Sequence, residues 1–369
     1  MGSPIRILHV VVNMNRGGAE TLIMNLYRNI DRTKVQFDFL TCKPGVFDSE
    51  IMEMGGKVHR IPYITDVGHL KYVEALNHFF TSINQYKIVH SHMDKMSGLV
   101  LREAKRAGIP TRISHSHNTS SEGGIASKVY KWYAGNFILH SATNLLACSS
   151  GAAEWLFKRK SAETKIVKNG IVSELFDYSE EVRKEVRDEL NISNDEYILG
   201  HVGRFNLQKN HNFLIEVFAK LNKKVNHSTL LLIGDGPLRT SMEKKAKELQ
   251  VSDKVKFLGI RSDIHRILQS LDVFVFPSLH EGLPVSLVEA QGAGLPCIIS
   301  DGISREVDLG GDLIDFLSLS EQDEWIRKLM DLQSKKFYRQ SYSTFISNKG
   351  YDIRESAEYM ERFYLGLSG

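Results

Sequence analysis

Short apolar, β-branched runs alternate with longer amphipathic stretches along almost the whole chain. The runs predicted as strands are 5–12, 37–41, 57–62, 87–92, 111–117, 144–150, 164–170, 197–204, 229–236, 254–259, 272–278 and 296–300. Helical periodicity lies between them, at 19–30, 97–108, 207–225, 238–249 and 285–294. Strands that alternate with helices predict an α/β protein with parallel sheets covered on both faces.

The length of 369 residues exceeds the usual size of one hydrophobic core and predicts two domains. A charged stretch at 173–195 is helical in pattern and is interpreted as the linker between them. The tail has the pattern of a terminal helix with an aromatic face. The predicted boundaries are 1–175, 176–350 and 351–369.

Composition is that of an ordinary soluble globular protein, with 42% hydrophobic and 25% charged residues. A net charge of +3, without a dense basic stripe, gives no support for nucleic-acid binding. Cys42, Cys148 and Cys297 lie far apart, which favours a reducing cytosol over a disulfide framework. With no signal peptide and no apolar run of about 20 residues, a cytoplasmic protein is expected.

Two carboxylates eight positions apart stand in "HEGLPVSLVEAQ" at 280–291. Pro284 favours a helix start, so Glu281 is expected on a loop and Glu289 on the helix that follows. Both acids could then accept hydrogen bonds from hydroxyl groups of one ligand. The alternative is that an acidic residue only stabilises the N-terminus of this helix and that Glu289 is solvated. The apolar neighbours of Glu289 weaken this alternative.

"GHVGRFNLQKN" at 200–210 follows the first strand of the second half. Arg204 and Lys209 could bracket a diphosphate there, one with a planar fork and the other with a point charge. Two solvated surface charges are the alternative. The carboxyl end of a parallel strand is where ligands bind in such sheets, which favours the first interpretation.

Gly17 and Gly18 join the first strand to a helix. They would allow a tight turn and a close approach of phosphate to the free N–H groups of the helix. The alternative is a plain strand-to-helix turn without a ligand. Neither this segment nor "GDGPLR" at 234–239 completes the dinucleotide fingerprint. A nicotinamide dehydrogenase is therefore disfavoured.

Two His-x-His pairs, His90/His92 and His115/His117, each end a predicted strand. Residues two apart share one face of a strand, so a metal site is conceivable. No matching set of acids or cysteines accompanies them, so structural histidines are expected for three of the four. His117 is the best placed to face a ligand.

Several motifs in order resemble the retaining GT-B glycosyltransferases of family 4 over nearly the whole chain. They are the Gly-Gly turn, "GR-x4-K", "GDGP", "DVFVFPS" and "E-G-L-P-V-S-L-V-E-A-Q-x-x-G-x-P". The segment "RGGAETLIMNLYRNIDR" is similar to the exopolysaccharide-type members, also called group 1. The resemblance implies two Rossmann-like domains facing an interdomain cleft, with the terminal helix crossing back to the first domain.

The resemblance also implies roles for the donor-binding residues. Arg204 and Lys209 would hold the diphosphate of a nucleotide-sugar donor, and Glu289 the ribose. His117 would contact the donor sugar at the reaction centre. Glu281 would bind the sugar together with the segment that follows it, which is Gly282, Leu283, Pro284 and Val285. The residues implied near the nucleotide are Gly17, Gly18, Gly234, Asp235, Gly236 and Arg261.

One position departs from the family pattern. Val172 stands in "NGIV", where the family commonly has an acid near the interdomain junction. A sugar-nucleotide epimerase, a phosphorylase and a non-catalytic sugar-nucleotide-binding subunit of the same fold are the rival hypotheses. The chain is short for a phosphorylase, and the complete donor motifs favour transfer.

The expected reaction transfers a sugar from a UDP-sugar donor to a saccharide or lipid-linked saccharide. The anomeric configuration of the sugar is expected to be retained. With Glu289 assigned to the ribose, a second catalytic acid is missing, so a front-face route without a protein nucleophile is favoured over double displacement. No Asp-x-Asp motif occurs in the chain. A metal-independent enzyme without a cofactor is therefore expected.

The segment 126–140, "ASKVYKWYAGNFILH", combines lysines with aromatic residues, and 101–108 adds further basic residues. Such a face suits an anionic membrane surface and a lipid-linked acceptor. The alternative is an ordinary helix with its aromatic face in the core.

Overall fold

The computed structural model of the chain describes residues 3–121, 123–335 and 338–367. The chain divides into two compact units. One comprises the chain up to Gly170 together with the segment from Ile353 onward, and the other is Ile171–Asp352. Each unit is built on its own parallel sheet.

The first unit contains a seven-stranded sheet in the order β3-β2-β1-β4-β5-β6-β7. Its strands are β1 Ile5–Val10, β2 Val35–Thr41, β3 Val58–Arg60, β4 Ile88–Ser91, β5 Thr111–Ser116, β6 Asn144–Ala147 and β7 Lys165–Ile166. Its crossover helices are α1 Gly18–Asn29, α2 Asp48–Glu53, α3 Ile64–Ser82, α4 Ser97–Arg106, α5 Ile125–Gly135, α6 Ile138–Ser141 and α7 Ser150–Phe157. The strand order reverses between β1 and β4, which is the point where such sheets bind ligands.

The second unit repeats this plan with a six-stranded sheet in the order β10-β9-β8-β11-β12-β13. Its strands are β8 Tyr197–Val202, β9 Ser228–Ile233, β10 Val255–Gly259, β11 Val273–Phe276, β12 Cys297–Ser300 and β13 Ile314–Leu317. Its helices are α8 Glu180–Glu189, α9 His211–Asn222, α10 Arg239–Glu248, α11 Ile264–Ser270, α12 Val285–Gly292, α13 Gln322–Ser334 and α14 Ser343–Asn348. The switch point lies between β8 and β11.

The predicted α/β class with two Rossmann-like sheets is confirmed. Each predicted strand overlaps an observed strand, and among the described residues β13 is the one that the pattern missed. This strand has only four residues and follows Gly310 and Gly311, so its periodicity is weak. It completes the sheet by parallel pairing with β12, where Cys297 lies opposite Ile314.

The last helix, α15 Ile353–Gly366, belongs to the first unit. Its Glu361 accepts a hydrogen bond from Lys34 Nζ at 3.0 Å, and its Tyr364 is fully buried. The sequence predicts this helix over 351–369, and residues 368 and 369 lie outside the described part of the chain. The division between the units falls at 170/171 and 352/353, beside the expected 175/176 and 350/351.

The linker predicted at 173–195 is wrong, because this stretch is packed into the second unit. Its helix α8 carries Arg187, whose side chain is fully buried. The guanidinium donates to Asp272 Oδ2 at 2.9 Å and to the Ser270 carbonyl at 3.0 Å. The charged composition of α8 thus serves an internal ion pair that the sequence pattern did not distinguish from a solvated surface.

Arg187→Met is expected to lower the free energy of unfolding of the second unit by about 3 kcal/mol, because it leaves partly buried Asp272 with one fewer cation. Urea unfolding followed by tryptophan fluorescence measures the change. The matched control is Lys184→Met, which removes an exposed charge from the same helix and is expected to cost less than about 0.5 kcal/mol. Equal losses in the two variants would contradict the structural role of Arg187.

Candidate active site

The loops that follow β8 and β9 touch backbone to backbone in the second unit. Gly234 has φ +135°, and a Cβ there would lie 2.1 Å from the carbonyl oxygen of Gly203. A Cβ on Gly236 would lie 2.6 Å from the Phe205 carbonyl oxygen. These contacts explain why "GDGP" carries glycines, since any side chain would separate the two loops. The loop after β8, which carries Arg204 and Lys209, is thereby held in place.

Lys209 and Glu281 form a close ion pair, with Nζ 2.7 Å from Oε1. Glu281 is only 7% exposed, and the ammonium lies 4.6 Å from the centre of the Phe276 ring. Gln208 reinforces the junction, because its Nε2 donates to the His280 carbonyl at 2.8 Å. The two motifs that the sequence placed around one ligand are therefore in direct contact, although 72 residues separate them.

The Arg204 side chain is exposed and makes no ion pair or hydrogen bond with any described residue. Its guanidinium therefore keeps all of its donors for an anion. Arg261, in contrast, uses its fork on Asp263, with Nε 2.8 Å from Oδ1 and Nη2 2.6 Å from Oδ2. A contact of Arg261 with a nucleobase stays a prediction. Because Asp263 occupies Nε and Nη2, a nucleobase would have to contact the other parts of the guanidinium or its flat face.

Glu289 lies on α12, which begins after Pro284 in the residues Val285–Gly292. Its neighbours Val288 and Ala290 are buried, and the carboxyl group makes no hydrogen bond with the described residues. Burial raises the pKa of Glu289 to about 7. A partly buried acid with such a pKa and no partner in its own fold is a candidate ligand-binding group. The solvated alternative is therefore disfavoured.

In the first unit, Gly17 precedes α1 in extended conformation and Gly18 begins the helix. A Cβ on Gly17 would lie 2.3 Å from a carboxylate oxygen of Glu20. The helix thus has a carboxylate beside its first turn, where a phosphate would compete with it. This geometry favours the plain strand-to-helix turn.

Histidines of the first unit form two hydrogen-bonded rows across the sheet. In the front row, His9 Nδ1 lies 2.9 Å from His92 Nε2, and His92 Nδ1 lies 2.9 Å from His117 Nε2. In the rear row, His90 contacts the Tyr364 hydroxyl at 2.7 Å and His115 at 3.2 Å. The rings of the two rows lie against one another at tilted angles, and the ring centres of His115 and His117 are 4.1 Å apart.

The sequence reasoning missed His9 and Asp94. His9 stands alone in β1 and joins the cluster only because β1 pairs with β4, which places it opposite His90. Asp94 follows β4 with φ +46°, and its carboxylate accepts from Asn118 Nδ2 at 2.7 Å, next to His117. A non-glycine residue in the left-handed region often marks a functional loop, but φ cannot be read from a sequence.

Among the described residues, two groups of three histidines each offer ring nitrogens that lie within 4.8 Å of one another, a spacing that a metal ion could use. The first is His9, His90 and His92, and the second is His92, His115 and His117. Within the front row, however, the nitrogen separations of 2.9 Å are those of direct hydrogen bonds. This geometry agrees with the expectation of hydrogen-bonded histidines.

Family models match each of the two units. The model of glycosyl transferases group 1 matches residues 182–341, and that of a glycosyl transferase 4-like domain matches residues 17–170. EpsF of Bacillus subtilis (strain 168), a protein named as a glycosyltransferase, is 42% identical over 86% of this chain and 84% of its own length. The chain belongs to the group 1 glycosyltransferases.

Similarity to more distant relatives covers most of the length of this glycosyltransferase. An Escherichia coli enzyme named UDP-Gal:alpha-D-GlcNAc-diphosphoundecaprenol alpha-1,3-galactosyltransferase is 25% identical over 90% of this chain and 89% of its own. The crystal structure of Anabaena HepE in complex with UDP and glucose has a TM-score of 0.80, with 18% identity over 98% of this chain and 99% of HepE. The predicted family and the GT-B fold are confirmed.

Glu289 makes the stability of this glycosyltransferase depend on pH. Unfolded glutamate has a pKa of about 4.3. Between this value and about 7, the folded protein keeps a proton that the unfolded chain releases, so the free energy of unfolding falls as the pH rises. Glu289→Gln is therefore expected to be more stable than the wild type at pH 8, with a smaller difference at pH 5.

Urea unfolding at the two pH values measures this effect. The control is Glu248→Gln on α10, where the carboxylate is well exposed, and its unfolding curves should match the wild type at both pH values. A Glu289→Gln variant less stable than the wild type at pH 8 would mean that the carboxylate is stabilised by the fold.

Proposed function

We propose that this glycosyltransferase moves a sugar, with retention of configuration, from a UDP-sugar to a hydroxyl group of a saccharide or lipid-linked saccharide. The product would belong to a surface polysaccharide or exopolysaccharide. The names of the relatives support this assignment, because they include a galactosyltransferase acting on a diphosphoundecaprenol-linked sugar and the capsular polysaccharide enzyme CapH of Staphylococcus aureus. The solved structures of HepE support UDP as the carrier.

The observation that carries the proposal is the set of polar groups at the carboxyl ends of β8 and β11. The exposed Arg204 and the ammonium of Lys209 supply positive charge, and the Glu281 carboxylate is fixed beside them by the ion pair. An ammonium has three N–H donors, so Lys209 can hold Glu281 and a phosphate oxygen together. This is the charge pattern that a sugar diphosphate requires.

In this proposal, the protein accelerates transfer by positioning and by charge stabilisation. Arg204 and Lys209 offset the charge that develops on the departing UDP. Glu281 accepts hydrogen bonds from sugar hydroxyls, Glu289 binds the ribose, and His117 contacts the donor sugar. The acceptor hydroxyl attacks the anomeric carbon from the face that UDP leaves, and its proton passes to a phosphate oxygen of the leaving group.

The test is release of UDP from a panel of UDP-sugars, with and without a saccharide extract as acceptor. Transfer predicts UDP release that depends on the acceptor. Release without any acceptor would favour an epimerase or hydrolase reaction. Tight UDP binding without turnover of any donor would favour a sugar-nucleotide-binding subunit.

The same assay tests the phosphate site. Because Arg204 and Lys209 are proposed to bind the diphosphate in place of a metal ion, activity is expected to survive exhaustive EDTA treatment. Lys209→Met is expected to lower kcat by about 100-fold or more, since it removes a donor to the developing charge. The matched control is Lys223→Met, an exposed lysine just beyond α9, which should retain full activity.

Two outcomes would contradict this assignment. Loss of activity in EDTA with recovery on Mn²⁺ addition would show that a metal holds the diphosphate. Unchanged kcat in Lys209→Met would remove this lysine from the site. Because the substitution also deletes the ion-pair partner of Glu281, its unfolding midpoint is measured in parallel.

We further propose that α5 lies on an anionic membrane surface. The side chains of Ile125, Val129 and Trp132 are 85%, 58% and 58% exposed, and their spacing places them on one helix face. The core alternative thus fails for this face. The exposed Lys128 adds positive charge beside it, whereas Arg102 and Arg106 of the neighbouring segment are paired with Glu103.

Within the described residues, no helix is both long and apolar enough to cross a bilayer. We expect the protein to sediment with anionic vesicles at low salt and much less with neutral vesicles. The double variant Ile125→Ser/Trp132→Ser should lose most of this binding. Leu70→Ser, which removes another highly exposed apolar side chain of the first unit, is the control. Equal sedimentation with both kinds of vesicle would contradict the proposal.

A further inference from the structure

The front row of histidines is a continuous chain of hydrogen bonds. It runs from His9 in β1 through His92 after β4 to His117 after β5. Each contact joins the Nδ1 of one ring to the Nε2 of the next, at 2.9 Å in both cases. One proton lies in each contact, so every ring must donate in one direction along the row.

The three imidazoles are neutral at physiological pH. Burial lowers the pKa of His9 to about 3 and that of His117 to about 4. Burial and the neighbouring imidazoles also lower the pKa of His92. A neutral imidazole carries a single N–H and a single acceptor nitrogen. The row therefore has two possible polarities.

The inner end of the row decides between them. His9 Nε2 is buried and has no hydrogen-bond partner among the described residues, and its ring lies 4.2 Å from the ring of Phe37. If Nε2 carried the proton, a buried N–H would remain unpaired, which proteins tolerate less well than an unpaired acceptor. His9 therefore carries its proton on Nδ1 and donates to His92, and His92 in turn donates from Nδ1 to His117 Nε2.

The outer end of the row then has a fixed chemistry. Since His117 Nε2 accepts from His92, the proton of His117 must lie on Nδ1. This Nδ1 has no hydrogen-bond partner among the described residues, and the side chain is partly exposed. The free nitrogen at the surface of the row is thus a donor.

We propose that His9 and His92 are positioning residues that hold His117 in its Nδ1–H tautomer, so that His117 presents a hydrogen-bond donor to the donor sugar. This inference rests on the proposed function, because it assumes that His117 contacts that sugar. It also defines what His117 does not do. To act as a base through Nδ1, it would have to reverse the proton positions of the whole row, which agrees with the proposed transfer of the acceptor proton to the leaving phosphate.

The direct measurement is the tautomer of each histidine in the wild-type protein. Long-range ¹H–¹⁵N correlation spectra of protein labelled with ¹⁵N-histidine distinguish Nδ1–H from Nε2–H rings. We expect Nδ1–H for His9, His92 and His117. An Nε2–H tautomer for His117 in the folded protein would overturn the inference, whatever the activity.

Variants then link the tautomer to turnover. His92→Leu removes the donor to His117 Nε2, and we expect the Nε2–H form of His117 to appear, with kcat lowered by about tenfold or more and the KM for acceptor nearly unchanged. His92→Gln offers an amide N–H donor in place of the imidazole N–H. This variant should restore part of the Nδ1–H form of His117 and part of kcat. If His92→Leu does not fold, His92→Gln and the wild-type spectra still decide.

His115→Leu is the matched control. Its ring centre lies 4.1 Å from that of His117, but its hydrogen bond goes to His90 and not to the front row. We expect this variant to keep His117 in the Nδ1–H form. A change of tautomer in His115→Leu equal to that in His92→Leu would show that general packing, rather than the row, sets the proton position.

Two further results separate the inference from its assumptions. Nδ1–H spectra in a protein that turns over no donor would contradict the proposed function and leave the tautomer assignment intact. About one equivalent of zinc in the purified protein, with loss of the imidazole N–H signals on zinc addition, would overturn the inference in favour of a metal site.

Discussion

Parallel pairing of the strands is the constraint on which the rest of the described structure depends. A parallel strand cannot be joined to its neighbour by a tight turn, so each connection crosses over through a helix and covers a face of the sheet. The loops that leave the carboxyl ends of β4, β5, β8 and β11 consequently gather at one edge of their own sheet. His117, Arg204, Lys209 and Glu281 all stand in such loops.

Burial without charge compensation is the second theme of the site. His9 and His117 have lowered pKa values because a charged imidazole would lose its hydration, and Glu289 has a raised pKa for the same reason. In each case the fold keeps the group neutral or partly neutral near pH 7. Lys209 and Glu281 are also largely buried, and each compensates the charge of the other in a close ion pair.

These two arrangements divide the chemistry between the units. The second unit holds fixed charge of both signs, which suits a diphosphate and sugar hydroxyls. The first unit holds neutral, hydrogen-bonded rings whose proton positions are set by one buried nitrogen of His9.

The sequence by itself determined the parallel α/β architecture, all strands except β13, and the family, because hydrophobic period and glycine or proline punctuation are local properties. It also placed the charged motifs at strand ends. Only the tertiary structure decided that Arg187 is an internal ion-pair partner, that Lys209 meets Glu281, and that His9 belongs with His92 and His117. These facts depend on strand order and register, which join residues far apart in the chain, and no local pattern encodes them.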